Sequence, residues 1–297
     1  MNASLPPVAS TRPIAVIGAT GKQGGSVVDA LLAEGLAVRA LVRDLGAAAA
    51  QALRDRGVEL LRGDLADPAS LESLLSGVDG VFAMSTPVDG TDVEVTAGTA
   101  IADAAARAGV PHLVFSTVGG AERKTGIAHF ESKRRVEEHI ESLGLHATFL
   151  RPVFFMENLL GFGVGVEEGE VVVRLPLPDG IPLQMVAVRD IGKAAAAILK
   201  GGTAVEGDSI EIGGDALTGT QIAKAIGSQV VLRSRYEAIP LEAVASYGDT
   251  ADMFRWFAET PAYQADFAAT RTLVPDLLDF PAWLSFSKFT LPAQPRP

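Results

Sequence analysis

The strongest constraint on the fold is a short apolar strand that leads through a glycine-rich turn into a helix. Residues 14–17 read IAVI, glycines follow at Gly18, Gly21 and Gly24, and helical sequence begins at Lys22. The first glycine permits a tight turn, the second permits close approach of a pyrophosphate, and the third permits close packing of helix on strand. Free N–H groups at the helix N-terminus bind phosphate oxygens. Because the flanking strand and helix are both present, the turn predicts a dinucleotide site.

Apolar strands and helical segments alternate through the first half of the chain. Strands are predicted at residues 13–17, 37–42, 58–61, 79–84, 111–116 and 146–150. Helices are predicted between them at residues 22–34, 47–56, 68–76, 92–108 and 128–142. This alternation is typical of a parallel sheet covered on both faces. The expected fold class is therefore α/β, a Rossmann-type doubly wound parallel sheet.

The pattern loosens after Arg151, where short strands mix with helices. Strands are predicted at residues 171–174, 185–188 and 209–212, and helices at 189–200, 218–226, 240–247, 250–259 and 281–287. We expect a flexible tail at 1–12, a dinucleotide-binding domain at 13–151, and a smaller α+β C-terminal lobe at 152–297 that is interleaved with it. This substrate or regulatory lobe is expected to cover the carboxyl edge of the sheet, where open α/β folds bind ligands.

Composition excludes several classes of protein. The 297 residues include no cysteine, and 36 acidic residues outnumber 25 Lys and Arg to give a net charge of −11. Thiolate chemistry is therefore impossible, and the four scattered histidines predict no metal site. The negative charge argues against direct binding to nucleic acid or to an anionic membrane. No apolar run approaches the roughly 18 residues that span a bilayer. We expect a cytoplasmic protein whose oligomeric state stays open.

Several segments together resemble a known family. In chain order they are GATGKQGGSVV (18–28), LVRD (41–44), GDL (63–65), HFESK (129–133), LRPVFFMENLL (150–160) and ADMFRWFAETP (251–261). With the G-x-x-G-x-x-G spacing of the turn, they resemble the NmrA-like branch of the short-chain dehydrogenase/reductase superfamily, in particular its atypical HSCARG-like members. The resemblance implies a nicotinamide dinucleotide as ligand. Some members of that branch are redox sensors and others are NADPH-dependent quinone reductases.

Arg43 ends the second predicted strand, where a dinucleotide fold reads the adenosine ribose. A guanidinium there matches the 2′-phosphate of NADP through bidentate hydrogen bonds, and Lys22 adds a second cation. Asp44 is the competing signal, because an acid can accept from the 2′-hydroxyl of NAD. The two residues can also form a solvated surface pair. We expect NADP(H) to be preferred and NAD(H) to be possible, and the family resemblance supports NADP.

Other candidate contacts follow the remaining strands. In relatives the position of Asp64 contacts adenine with Leu65 beside it, although an aspartate is also common in exposed turns. Ser85 and Thr86 should border the ribose groups or satisfy the strand end. Pro152 blocks strand continuation, and the resemblance places its turn beside the nicotinamide. The candidate cofactor-binding residues are Gly18, Thr20, Gly21, Lys22, Gln23, Gly24, Arg43, Asp64, Leu65, Ser85, Thr86, Lys133, Pro152 and Phe155.

The helix predicted at 128–142 carries one face of residues that step by four and three, namely His129, Lys133, Val136, Ile140 and Leu143. Its apolar members are predicted to face the sheet, so His129 and Lys133 point inward at the helix start. Lys133 either snorkels to water or, as the resemblance implies, binds the nicotinamide ribose. The other charges predict a solvated face: Glu131, Arg134, Arg135, Glu137 and Glu138.

The catalytic position departs from the Y-x-x-x-K motif of the superfamily, because His129 stands where the tyrosine is expected. An imidazole can donate a proton to a reduced carbonyl, since it titrates near neutral pH, or it can be an inert spacer. Ser116 and Thr117 lie in the region of the superfamily's catalytic serine and either touch substrate or cap a strand. The candidate catalytic residues are Lys133, His129 and Ser116.

Two functions of different classes remain. A cofactor sensor would reorder loops 85–90 and 153–165 on NADP(H) binding and change a surface for a regulatory protein partner. A reductase would move a hydride from NADPH to a quinone or another small apolar carbonyl compound. The missing tyrosine slightly favours the sensor. For the reductase, one set of side chains either walls a pocket for a planar substrate or joins the two lobes: Phe154, Phe155, Met156, Met253, Phe254, Trp256 and Phe257.

Overall fold

The computed structural model describes residues 12–201, 205 and 208–291, so nearly all of the tail predicted at 1–12 lies outside the described residues. The strands within them are β1 (Ile14–Val16), β2 (Val38–Val42), β3 (Glu59–Arg62), β4 (Gly80–Met84), β5 (Leu113–Ser116), β6 (Ala147–Pro152), β7 (Phe154–Phe155), β8 (Val164–Glu167), β9 (Glu170–Leu175), β10 (Leu183–Val186), β11 (Ser209–Ile212), β12 (Asp215–Leu217) and β13 (Ser234–Ala238). The α-helices are α1 (Lys22–Ala33), α2 (Ala48–Asp55), α3 (Pro68–Leu75), α4 (Thr91–Ala108), α5 (Ala128–Ser142), α6 (Val188–Leu199), α7 (Gly219–Val230), α8 (Asp249–Glu259), α9 (Phe267–Leu273) and α10 (Phe280–Phe286).

Seven parallel strands form the main sheet in the order β11-β6-β5-β4-β1-β2-β3. From β1 the chain winds outward to β2 and β3, then crosses back to β4 on the other side of β1. The strand order therefore reverses beside β1, and ligands bind at such a reversal in open α/β sheets. This topology confirms the predicted α/β fold class with its doubly wound parallel sheet.

Both faces of the main sheet are buried, which explains why its strands read as nearly continuous apolar runs. One face packs under α1 and α6 with a core that includes Val27, Leu31 and Ile191. The other face packs under α3, α4 and α5 with a core that includes Leu74 and Ile101. Among the described residues, no helix is long and apolar enough to cross a membrane.

Two smaller sheets, β12-β10-β7 and β13-β9-β8, form the rest of the fold with α7 to α10. They confirm a smaller α+β part after the first domain. The segment 209–212, which we predicted as a strand in a lobe interleaved with the first domain, pairs in parallel with β6 and extends the main sheet. Segment 240–247 differs from the prediction, because Leu241–Tyr247 is a 3-10 helix.

The start of α3 follows the predicted capping pattern. Asp67 accepts hydrogen bonds from the backbone N–H groups of Ala69 and Ser70, and Pro68 occupies the first turn. Proline fits there because its missing N–H would have no partner inside the helix. Since Asp67 is the cap, Asp64 is left at the strand end beside the ligand edge.

Candidate functional site

The glycine turn brings the end of β1 against the start of α1. Gly18 has φ +76°, and its carbonyl oxygen accepts from the Gly21 N–H at 2.8 Å. A Cβ on Gly24 would lie only 2.3 Å from the Gly18 oxygen, so this position requires glycine. No side chain caps the helix, and no acidic residue lies in its first turn. The first-turn N–H groups are thus free for an anion, with Lys22 beside them.

A cleft of about 540 Å³ opens from this turn across the carboxyl ends of β1 to β4. It is built from four separate strand ends, as a dinucleotide fold requires. The sequence-predicted residues that line it are Gly18, Thr20, Arg43, Asp64, Leu65 and Thr86. We call it the adenosine cleft, after the end of the cofactor for which its residues were predicted.

Arg43 and Asp44 differ in what they already bind. The Asp44 carboxylate accepts from the N–H of Gly46 at 2.8 Å, so it stabilises its own turn. The Arg43 guanidinium lies exposed at the cleft, and the described residues offer it neither an ion pair nor a hydrogen bond. Asp64 also serves a turn, because it accepts from the N–H of Ala66 at 2.9 Å. The cleft therefore presents one uncommitted cation for a ligand.

A second cleft of about 480 Å³ begins on the other side of the turn, at Lys22. We call it the apolar cleft, because most of its other lining is apolar. Its lining residues are Lys22, Phe154, Glu157, Asn158, Leu160, Gly161, Phe162, Thr250 and Met253. The resemblance marked segment 150–160, but the sequence singled out neither Glu157, Leu160 nor Phe162 as a site residue. It gave no sign of Thr250 either, because single residues in loops and at helix starts carry no periodic signal.

The aromatic and methionine residues divide between the two roles left open for them. Phe154 and Met253 line the apolar cleft. Met156, Phe254 and Phe257 are buried in the core of the smaller sheets. Two others pack at the edges of cores: Trp256, which contacts Phe130, and Phe155. Phe154 and Met253 also pack against the core of the smaller sheets, so they serve both roles, whereas the other five serve packing.

Glu157 is a carboxylate in the apolar cleft with two fixed partners. It accepts from the backbone N–H of Val188 at 3.0 Å and from the indole N–H of Trp283 at 2.8 Å. Burial raises the pKa of its carboxyl above the ordinary value, and the hydrogen bonds oppose that effect. Lys22 is close enough to lower the same pKa. The cleft thus holds one carboxylate facing one cation.

Ser116 at the end of β5 is buried and donates to the side-chain oxygen of Gln23 at 2.8 Å. This bond joins two predicted site residues and fixes the start of α1 to the strand edge. Thr117 instead donates to the Glu137 carboxylate at 2.7 Å. Of the two hydroxyls predicted at this strand end, only Ser116 contacts a residue of the glycine turn.

Lys133 lies on α5 with its ammonium near the end of β4. It donates to the backbone oxygen of Ser85 at 3.2 Å and to the Glu94 carboxylate at 2.5 Å. Glu94 on α4 is completely buried and also accepts from Ser132. The Lys133 side chain is 12% exposed, so it is paired and does not snorkel. The buried Ser85 hydroxyl has no hydrogen-bond partner among the described residues.

His129 lies one turn before Lys133 and is bonded to α8. Its Nδ1 shares a hydrogen bond with the Asp249 carboxylate, and its backbone N–H donates to the same oxygen at 3.2 Å. The ring also packs edge-on against Phe130. The sequence did not point to Asp249, because it lies 120 residues after His129 in the chain and no local pattern pairs it with α5.

Two predictions about α5 are wrong. Leu143 is 37% exposed and does not face the sheet, because it caps the helix end where the chain turns out to solvent. Glu137, predicted on a solvated face, is completely buried. Both of its oxygens bind the Arg151 guanidinium, at 2.9 and 2.8 Å, so a partner on β6 satisfies the buried charge. The helix therefore buries a wider face than its apolar residues indicate.

Pro152 is the last residue of β6, as expected of a proline that blocks strand continuation, although the strand extends two residues beyond its predicted end at 150. Strand β6 runs from Ala147 to Pro152, and its residues 149–152 pair in parallel with β11. Proline lacks the N–H donor, yet its carbonyl oxygen accepts from the Gly119 N–H at 2.9 Å. The hydrogen bonding of β6 therefore reaches Pro152 through the carbonyl oxygen of that residue. Pro152 is buried within the sheet edge that leads to the apolar cleft.

Residues 10–283 match the NmrA-like family. The chain is 36% identical over 231 residues to an NAD(P)H azoreductase of Xenophilus azovorans, which covers 77% of this chain and 78% of the relative. It is 32% identical over 237 residues to a (4-alkanoyl-5-oxo-2,5-dihydrofuran-3-yl)methyl phosphate reductase of Streptomyces griseus. That match covers 77% of this chain and 78% of the relative. An NADPH-dependent quinone oxidoreductase of Escherichia coli has a similar structure, with a TM-score of 0.75 and 25% sequence identity. The superposition covers 93% of this chain and 100% of that one. NmrA, a negative transcriptional regulator in complex with NADP, shares the fold with a TM-score of 0.78 at 23% sequence identity. The superposition covers 92% of this chain and 94% of that one.

Proposed function

Because the chain belongs to the NmrA-like family, we propose that it is an NADPH-dependent reductase of quinones or other apolar carbonyl compounds. One observation carries the proposal: the glycine turn borders two clefts, with Thr20 lining the adenosine cleft and Lys22 lining the apolar cleft. A dinucleotide bound at the turn can therefore extend from one cleft into the other. A reductase needs the second cleft for its acceptor, whereas a sensor needs no acceptor site.

The relatives favour the reductase over the sensor that the missing tyrosine suggested. Two curated relatives that cover about three quarters of this chain at more than 30% identity are reductases. The regulator NmrA supports a sensor through its fold only. The azoreductase name also suits a planar aromatic acceptor, which the lining of Phe154, Phe162 and Met253 would contact.

The residues fit a nicotinamide dinucleotide in three places. The uncapped start of α1 would bind the pyrophosphate, and Gly24 lets the turn lie close to that helix start. The uncommitted Arg43 would bind a 2′-phosphate. Lys133, held at the β4 end by Glu94, would bind the ribose next to the nicotinamide. When bound, NADPH supplies the hydride, and this chain's task is to orient the acceptor, exclude water and deliver a proton.

Arg43 is expected to select NADPH over NADH. In the Arg43→Glu variant, the dissociation constant for NADPH should rise by about ten- to a hundredfold, because charged hydrogen bonds contribute roughly 1.5–3 kcal/mol. The constant for NADH should change little. Calorimetric titration of both nucleotides measures this difference. Arg54→Glu is the matched control, because it makes the same charge change on α2 without lining the adenosine cleft. Equal losses for the two nucleotides would refute the role of Arg43.

His129 is expected to matter for turnover. Wild-type protein should consume NADPH with members of a panel of quinones, azo compounds and aldehydes. In His129→Gln, kcat with aldehydes should fall by about a hundredfold, within the range of general acid catalysis. Quinone reduction should fall less, since a hydroquinone anion can take its proton from water. His139→Gln is the matched control, because His139 is on the same helix and pairs with Asp103.

The same panel separates the reductase from the sensor. An inert wild-type protein that binds NADPH tightly and changes its oligomeric state or captures a protein partner would overturn the reductase. Turnover that is unaffected by His129→Gln would keep the reductase and remove His129 from the reaction.

A further inference from the structure

The bond between His129 and Asp249 joins the start of α5 to the start of α8. A single carboxylate oxygen, Oδ2, accepts from the backbone N–H of His129 and shares a hydrogen bond with Nδ1 of the same residue. Two bonds from one residue to one oxygen fix the carboxylate relative to the ring. The imidazole edge that carries Nδ1 is therefore committed to Asp249.

The other carboxylate oxygen, Oδ1, is shielded from solvent and has no hydrogen-bond partner among the described residues. A shielded carboxylate oxygen without a partner is costly, so the remaining bonds of that group must stabilise its charge. Those bonds come from His129. An ionised carboxylate only accepts hydrogen bonds. Nδ1 must therefore carry the shared hydrogen, and Nε2 is the nitrogen left to gain or lose a proton.

The pair is close in sequence to residues of both candidate sites. Thr250, which follows Asp249 on α8, lines that cleft, and so does Met253 one turn later. On α5, Lys133 follows His129 by one turn and reaches the end of β4. His129 is thus linked to the lining of the apolar cleft through α8 and lies one helical turn from the proposed ribose ligand, Lys133. In this chain it occupies the position where the superfamily motif has a tyrosine.

We propose that Asp249 is a positioning residue that holds His129 as the Nδ1–H form, so that Nε2 delivers the proton to the reduced substrate. This inference rests on the proposed reductase function. As the hydride reaches the carbonyl carbon, the C=O π pair becomes a lone pair on oxygen. That oxygen takes the proton from Nε2 of the imidazolium. The products are the alcohol, NADP⁺ and a neutral imidazole that keeps its Nδ1–H and regains a proton from water.

A purely structural bond would have different consequences. If Asp249 only fastened α8 to α5, its loss would lower the melting temperature and weaken every activity equally. A positioning residue instead affects the step that needs the proton. Because the reduced quinone can be protonated by water, aldehyde reduction should depend on Asp249 more than quinone reduction does.

The test compares Asp249→Asn with Asp252→Asn. Both residues are acids in the first turn of α8, and Asp252 pairs with Arg255 instead of a histidine. Protein labelled with ¹⁵N-histidine contains only four imidazoles, so the His129 signals can be assigned by comparison with His129→Gln. In Asp249→Asn we expect the ¹⁵N shifts of His129 to change from the Nδ1–H to the Nε2–H form, because an amide can donate to Nδ1. Asp252→Asn should retain the wild-type spectrum.

The kinetic arm uses the same two variants. In Asp249→Asn, kcat for aldehydes should fall by about ten- to a hundredfold, part of the roughly 10²–10⁴-fold that acid catalysis contributes. The loss for quinones should be smaller, and NADPH affinity and melting temperature should stay near those of Asp252→Asn. An unchanged tautomer, or equal losses for both acceptors, would overturn the positioning role while the reductase stands. A wild-type protein without turnover would overturn the reductase itself.

Discussion

Substitution of Gly24 by alanine is expected to abolish dinucleotide binding. The added Cβ would lie 2.3 Å from the oxygen and 2.4 Å from the carbon of Gly18, and 2.8 Å from the nitrogen of Ala19. These are backbone atoms of the turn, so no side-chain rotation can relieve the clash. The turn must open and α1 must move away from β1. We expect the NADPH dissociation constant to rise by more than a hundredfold, since overpacking costs about 1–3 kcal/mol and here also displaces the phosphate site.

Gly25→Ala is the matched control for this substitution. Its Cβ would approach only the Ala19 oxygen, at 3.4 Å, which is ordinary contact. Alanine within a helix is also favoured over glycine by up to about 1 kcal/mol. Gly25→Ala should therefore bind NADPH normally and unfold at an equal or higher temperature. Calorimetric titration and thermal unfolding measure both variants. Wild-type affinity in Gly24→Ala would show that phosphate binding does not depend on this close approach.

The features predicted well from the sequence depend on neighbouring residues. The turn at Gly18 to Gly24 and the cap at Asp67 are set by local backbone geometry, which residue type reveals directly. Strand and helix positions in the first half follow from apolar periodicity in the same way. These features locate the adenosine cleft, because a parallel sheet brings successive strand ends to one edge.

What could not be predicted depends on partners distant in sequence. The four residues of β11 read as a strand, but periodicity does not say which sheet a strand joins. The buried acids Glu94 and Glu137 have the spacing of surface charges. Their partners, Lys133 and Arg151, lie 39 and 14 residues away. A charge is buried only when such a partner exists, and the sequence alone does not reveal the pairing.

The Glu137–Arg151 pair links the strand edge to the segment that leads into α5. Arg151 binds Glu137 with two hydrogen bonds and also pairs with Glu122 at 2.9 Å. Glu122 pairs with Arg123, which in turn binds the half-buried Glu211. These ion pairs hold the 3-10 helix Ala121–Arg123, which lies between β5 and α5. The segment that presents His129 is therefore anchored by alternating charges.

Arg151→Met is expected to lower the free energy of unfolding by about 3–5 kcal/mol. It leaves the Glu137 carboxylate buried without its main partner, and breaking one side of a buried pair costs that much. The double variant Arg151→Met/Glu137→Leu should recover more than half of the loss, because no buried charge then remains uncompensated. Urea unfolding curves measure each variant.

Arg135→Met provides the surface comparison on the same helix. Arg135 pairs with Asp92, and their side chains are 56% and 90% exposed, so the change should cost no more than about 0.5 kcal/mol. The contrast tests whether the loss in free energy of unfolding comes from the burial of the pair and not simply from the removal of an arginine. If Arg151→Met is as mild as Arg135→Met, the remaining partners of Glu137, which are Arg134 and Thr117, must stabilise its charge. The segment before His129 would then be held by packing around Ile127 and Phe130 instead of by charge.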